Sequence, residues 1–310
     1  MTAKTAQHPF HTHTITARGG ASAAVAPELG GIVSSLKLPF AGAPRETLFC
    51  HDFFWDKDTK RTRGGIPFIF PICGRLERDG QADTYFFNGA RYSMPSHGFA
   101  SRMPWRVLQA GRDRIVMGLG DTEETRAAYP FSFELILSYR IEADGLRCEQ
   151  TYINKGKAPM PFYAGFHPYF LTPEPRKGKE SVRLSFDAVR ALAYNERLTD
   201  VTGEMAAPRT PASITADAVN ELLTVPVPQT GATLSFPDGH VLLVRAWGVE
   251  RPELFGYLQF YTMADKPFFC IEPWMGHPNA LNALTGAQWL APGEVTHGVF
   301  EVRLSSERQR

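Results

Sequence analysis

Glu272 stands in the run Phe269-Cys270-Ile271-Glu272-Pro273-Trp274, with Gly276, Pro278 and Asn279 close behind it. Among Phe, Ile and Trp a carboxylate loses hydration, so its charge must be stabilised or used. Used, it is a base whose proton affinity is tuned by its surroundings. The plainer reading is a strand-end glutamate that meets solvent or pairs with an arginine.

Three other segments hold a chemically capable side chain among Gly, Pro and aromatic residues. The first spans residues 64–75 and ends on Gly74-Arg75, with Pro67 and Pro71 interrupting an otherwise apolar run. Those prolines prevent a continuous central-strand ladder, which leaves Arg75 as a donor fork at a strand lip. The second is Ser96-His97-Gly98-Phe99-Ala100, where small neighbours let a ligand approach. The third is Gly165-Phe166-His167-Pro168-Tyr169-Phe170, where aromatic rings flank a histidine and the next proline restricts its backbone. Taken singly, each histidine reads as a satisfied structural residue and Arg75 as one half of a surface ion pair. Two histidines with a confined glutamate are natural partners for proton transfer near neutral pH.

The elements that must position these groups read as strands. In Phe133–Ile141 the residues Phe133, Leu135, Leu137, Tyr139 and Ile141 alternate with Glu134, Ser138 and Arg140, a period of two. Asp144-Gly145 turns this strand into 146–153, Asn88-Gly89 joins 84–87 to 90–94, and Pro237-Asp238-Gly239 joins 232–236 to 241–247. Three hairpins predict an antiparallel architecture. One short helix is expected over 121–129, capped by Asp121 and stopped by Pro130. Strand runs without helical crossovers predict a sandwich or barrel. Residues 1–18 are expected to form a flexible tail, 19–310 one domain, and the Pro-rich stretch 206–228 a long surface connection. His8, His11 and His13 in that tail lack a scaffold to fix metal geometry, so no metal site is assigned.

The chain has 310 residues, 43% hydrophobic and 21% charged, enough to bury a large core. With 33 basic against 32 acidic residues, no general field attracts nucleic acid or an anionic membrane. A small, weakly charged ligand is expected instead. Cys50, Cys73, Cys148 and Cys270 form no CxxC pair, which argues against a zinc ribbon, a redox dithiol or a disulfide framework. No leader and no membrane-spanning run is apparent, so the expectation is a cytoplasmic protein, monomeric or homodimeric.

In combination, GGIPFIFPICGR (64–75), HGFASRMPW (97–105), GFHPYF (165–170) and CIEPWMGHPNALN (270–282) resemble the aldose 1-epimerases, or galactose mutarotases. The resemblance covers most of the chain, and four motifs in order are far more specific than any one. It implies an all-β fold, a large antiparallel β-sandwich of the galactose mutarotase type with few short helices. It also implies interconversion of the α and β anomers of a sugar.

By motif match, Glu272 is the base that takes the C1 hydroxyl proton, and His167 the acid that protonates the ring oxygen. His97 holds and polarises the sugar, and Arg75 binds hydroxyls. The family's sugar-binding aspartate has its nearest counterpart here in the window 218–222, where Asn220 stands as the candidate. No metal or organic cofactor is required. A histidine cation and a glutamate anion coexist between pKa values of about 4.3 and 6.5, a window that attraction widens. Two alternatives stay open. One is a hexose-6-phosphate mutarotase, with Arg61, Arg63, Arg75 and Arg78 as phosphate donors. The other is a non-catalytic sugar-binding protein that uses Trp105 and Trp274 as stacking surfaces. A glycoside hydrolase would need a second carboxylate facing the bond, and only Glu272 has such a setting.

Overall fold

The computed structural model describes residues 10–56, 58–59 and 64–306. Two large antiparallel sheets organise the chain. In space, the nine-stranded sheet runs Arg106–Ala110, Arg114–Gly120, Phe133–Ile141, Gly145–Asn154, Val295–Ser306, His240–Gly248, Ala232–Ser235, Arg183–Phe186 and Ala212–Ser213. The eight-stranded sheet runs Val201–Met205, Ala188–Tyr194, Leu222–Pro226, Tyr257–Tyr261, Phe268–Trp274, Gly165–Phe166 and Phe68–Ile69. Its eighth strand, Tyr169–Leu171, also pairs with Phe268–Trp274. A smaller sheet of His13–Thr16, Ser22–Ala26, Ile32–Phe40 and Ala43–Glu46 precedes both.

Alternation in sequence becomes alternation in burial. Along Phe133–Ile141 the five predicted core positions are buried, and the opposite face mixes half-buried Glu134 and Ile136, buried Ser138 and exposed Arg140. The turn at Asn88-Gly89 has φ of 49° and 79°, as a two-residue hairpin with both central residues left-handed requires. Inner faces of the two sheets meet through aromatic rings. Phe166 stacks on Phe300 at 4.2 Å and Phe186 lies 4.8 Å from Phe260, each pair joining one sheet to the other. Burying one such ring stabilises the fold by roughly 1.5–3 kcal/mol, so these contacts hold the sandwich closed.

Four expectations change. Within the stretch expected to be a tail, 1–18, residues His13–Thr16 form a strand in register with Ser22–Ala26. The helix is Glu123–Ala128 and its cap is Thr122, not Asp121. Thr122 Oγ1 accepts from the Thr125 amide while Thr125 Oγ1 accepts from the Thr122 amide, a reciprocal box that a single Asp cannot make. Asp121 instead accepts from the Phe133 amide and pairs with Arg126. Within 206–228, Leu222–Pro226 is an interior strand of the eight-stranded sheet, drawn in by the burial of Leu222, Leu223 and Thr224. Trp105 is a core residue that donates to the Ala100 carbonyl, not a stacking platform.

Candidate active site

The strand Phe268–Trp274 is buried along its whole length, which period two divides into two jobs. Phe269 and Ile271 enter the main core between the sheets. Phe268, Cys270, Glu272 and Trp274 face the other way, where Glu272 and Trp274 line a cavity of about 290 Å³. That is near the lower end of ligand pockets, roughly 300–1,000 Å³, and suits one small molecule. Register adds Gln259, which stands directly across from Glu272 on Tyr257–Tyr261.

His167 leaves the sheet immediately after Phe166. Phe166 anchors in the core, the His167 amide donates to the Pro67 carbonyl, and the imidazole stacks on Tyr169 at 4.7 Å. This places His167 Nε2 3.4 Å from Glu272 Oε1. The strand before it must pass close to Pro273: a side chain at Gly165 would lie 2.6 Å from the Pro273 carbonyl oxygen.

His97 reaches the same cavity from a left-handed backbone, φ 63°. Two hydrogen bonds to one residue hold it there. Its amide donates to the Gly74 carbonyl, and the Gly74 amide donates to His97 Nδ1 at 3.2 Å. With Nδ1 accepting, the neutral ring carries its proton on Nε2 and acts as a donor. Gly98 makes this corner feasible, since at φ 69° a Cβ would sit 2.2 Å from the Phe70 carbonyl oxygen. The His97 ring lies 5.2 Å from His167 and 5.9 Å from Trp274.

Arg75 also lines the cavity, with one guanidinium nitrogen donating to the Arg197 carbonyl. Asn220 does not. Its amide oxygen accepts from the Thr262 backbone, outside the cavity wall, because the residue that turns inward is Glu221. Glu221 has φ 51° and receives a hydrogen bond from Gln259 Nε2, whose own oxygen accepts from Tyr194. Left-handed backbone at three non-glycine cavity residues, His97, Leu198 and Glu221, is strain of order 1–3 kcal/mol each that the surroundings must sustain. A carboxylate within 218–222 was the available signal for Glu221; neither its inward turn nor the partnership of Gln259 and Tyr194 can be read from spacing.

The charges differ from the sequence expectation. Burial pushes the Glu272 carboxyl well above the usual carboxylate range, Glu221 adds to the rise, and the Trp274 indole N–H opposes it. Burial also pushes His167 well below the ordinary imidazole value, with His97 adding to the fall. Both shifts run toward carboxylic acid and neutral imidazole, a form with the same proton count as the anion and cation. His97 is lowered to about 4, first by burial and then by Arg102 and Arg75, so it is uncharged at neutral pH. Glu221 is raised by burial and drawn back by Arg75.

Of the proposed phosphate donors, Arg61 and Arg63 lie outside the described residues, as does His8. Arg78 is exposed beside Asp79, whereas Arg102 lines the cavity with Arg75. Among the described residues one group has metal-ligand chemistry: His167, Cys270 and Glu272 each bring a donor atom within 4.8 Å of the others.

A family profile described as aldose 1-epimerase matches residues 12–303. Protein LacX, chromosomal, of Lactococcus lactis subsp. lactis is 26% identical over 148 residues, 46% of this chain and 48% of that protein. A putative glucose-6-phosphate 1-epimerase of Escherichia coli K12 is 27% identical over 112 residues, 35% of this chain and 32% of that one. The matches thus span at most about half the length of these curated relatives. Among solved structures, the Slr1438 protein of Synechocystis sp. PCC 6803 superposes with a TM-score of 0.81 at 29% identity, over 99% of this chain and all of that one (100%).

Proposed function

The chain belongs to the aldose 1-epimerase family, and from that premise we propose that it interconverts the α and β anomers of a free aldose. Glu272 takes the proton of the C1 hydroxyl as His167 gives one to the ring oxygen, and the hemiacetal opens to the aldehyde. Rotation about C1–C2 and return of both protons closes the other anomer. The observation that carries this reading is the His167 Nε2 to Glu272 Oε1 approach of 3.4 Å on the wall of a sugar-sized cavity.

Burial of the pair has a mechanistic consequence. Ring opening starts from carboxylate and imidazolium and ends with carboxylic acid and imidazole. A site that disfavours both charges favours the state with the sugar open. The ion-pair form needed at the start has the same proton count as the uncharged pair, so it is reached by moving one proton from Glu272 to His167. His97 Nε2–H, Glu221 and Gln259 supply the donors and acceptors that hydroxyls need.

A hexose 6-phosphate is the second reading, favoured by two guanidinium groups, Arg75 and Arg102, on one cavity. Polarimetry on freshly dissolved α-anomers of free aldoses and their 6-phosphates tests both. Acceleration of a free aldose supports the proposal, acceleration confined to phosphates supports the alternative, and no acceleration of either contradicts catalysis.

A further inference from the structure

We propose that His167, Cys270 and Glu272 form a binding site for a soft divalent cation, zinc in the first instance, behind the sugar cavity, and that its occupation halts turnover. The inference rests on the mutarotase reading only in its second half.

The donor set is the starting point. Cys270 is two residues before Glu272 on one strand, so both side chains project from the same face. In register it lies opposite Tyr169 on one neighbouring strand and Tyr261 on the other, and it is fully buried outside the cavity lining. One nitrogen, one sulfur and one oxygen lie within 4.8 Å of one another, and the nitrogen–oxygen edge is already 3.4 Å. Ligand atoms around tetrahedral zinc stand roughly 3.3–3.8 Å apart at bond lengths of about 2.0–2.3 Å. A side-chain adjustment on the order of 1 Å closes the site.

A second observation points the same way. His167 Nδ1 and Glu272 Oε2 are buried with no hydrogen-bond partner in the protein, although their residues are only 5% and 1% exposed. Unsatisfied buried polar atoms are costly, and an ion held by both Glu272 oxygens would engage Oε2 as well as Oε1, whereas His167 Nδ1 lies across the ring from the Nε2 that faces Glu272. Charge agrees as well. Binding forms the metal–sulfur, metal–oxygen and metal–nitrogen bonds and releases one proton from the Cys270 thiol and one from the Glu272 carboxyl. The dication with one thiolate, one carboxylate and one neutral imidazole is then electrically neutral, as a buried site requires. Three protein ligands leave a fourth position for water or a sugar oxygen. The ion takes the lone pairs with which Glu272 and His167 exchange protons, so it blocks the reaction.

The test uses the full-length chain after treatment with a chelator. Cobalt(II), titrated without sugar, should give a thiolate-to-cobalt charge-transfer band that zinc abolishes, and zinc should depress mutarotation with increasing effect as pH rises. Cys270→Ser should keep its mutarotation rate within about twofold, lose the band, and need more than about tenfold more zinc for half-inhibition. Glu272→Gln serves as a second variant should the first fail to fold, and its cobalt affinity should also drop more than about tenfold. No band in the parent, or a band and zinc sensitivity unchanged in Cys270→Ser, overturns the proposal. Because the band is read without substrate, metal binding can stand or fall independently of the mutarotase reading.

Discussion

Replacing Trp274 by Phe keeps an aromatic ring against His97, 5.9 Å away, and removes the indole N–H. That N–H acts on the Glu272 carboxyl by favouring its charged form. A hydrogen bond to a charged group contributes about 1.5–3 kcal/mol net. Here the indole nitrogen and Glu272 Oε2 each lack a formed bond in the protein, so a value just under that range, about 1.4 kcal/mol, is appropriate. That equals about one pKa unit and a factor of ten. The sign follows from the direction of the effect. Loss of a group that favours the anion raises the Glu272 pKa further, so the pair gives up its last proton at higher pH. The ion-pair form that begins ring opening becomes about tenfold scarcer. Trp274→Phe should therefore lower kcat about tenfold, leave KM nearly unchanged, and move the alkaline limb of the pH profile up by about one unit. Polarimetric initial rates, corrected at each pH for the uncatalysed reaction, provide the assay, with thermal melting to show a folded variant. A kcat within twofold of the parent and an unmoved alkaline limb would refute the reasoning, as would a loss carried by KM alone.

Other perturbations separate binding from chemistry and from stability. His97→Asn keeps a residue type that tolerates the left-handed φ of 63° and can still donate, so it should raise KM up to about tenfold while changing kcat less. Glu221→Gln exchanges a charged acceptor for a neutral one; Michaelis constants should rise about 10- to 100-fold with kcat little affected. Glu301, 2% exposed beneath Arg147, Arg245 and Arg303, is held down to about 2 by bonds to Arg303, Arg245 and Arg147 acting against its burial. With its arginines partly exposed, the depressed pKa represents about 2 kcal/mol of stability. That contribution is present above about pH 4.5 and fades as pH falls toward about 2. Denaturant melts of Glu301→Gln should accordingly show a deficit at pH 7 that narrows in acid, and an equal deficit at both would contradict the assignment.

Most of the sandwich was legible because strand alternation and turn chemistry are local signals. Asn88-Gly89 and Asp144-Gly145 mark hairpins wherever they stand in a fold. The three cavity residues proposed to act on the sugar were legible for a different reason: His97, His167 and Glu272 each sit among Gly, Pro and aromatics that serve no ordinary surface role. Three features escaped. Glu221 was displaced by one residue, since which of Asn220 and Glu221 turns inward depends on a left-handed φ that neither residue type demands. Gln259 enters through strand register, a tertiary quantity. The push of the His167 and Glu272 pair toward its uncharged form follows from burial, which the apolar run around Glu272 suggested but the spacing of His167 did not.

Glu272→Gln is nearly isosteric with the carboxylic acid that the buried site favours, so the fold should melt as the parent does while the base is gone. The mutarotation rate of this variant, on whichever aldose the parent accelerates, should fall by about 10²- to 10⁴-fold. A folded Glu272→Gln protein with a rate near that of the parent would contradict proton transfer through Glu272.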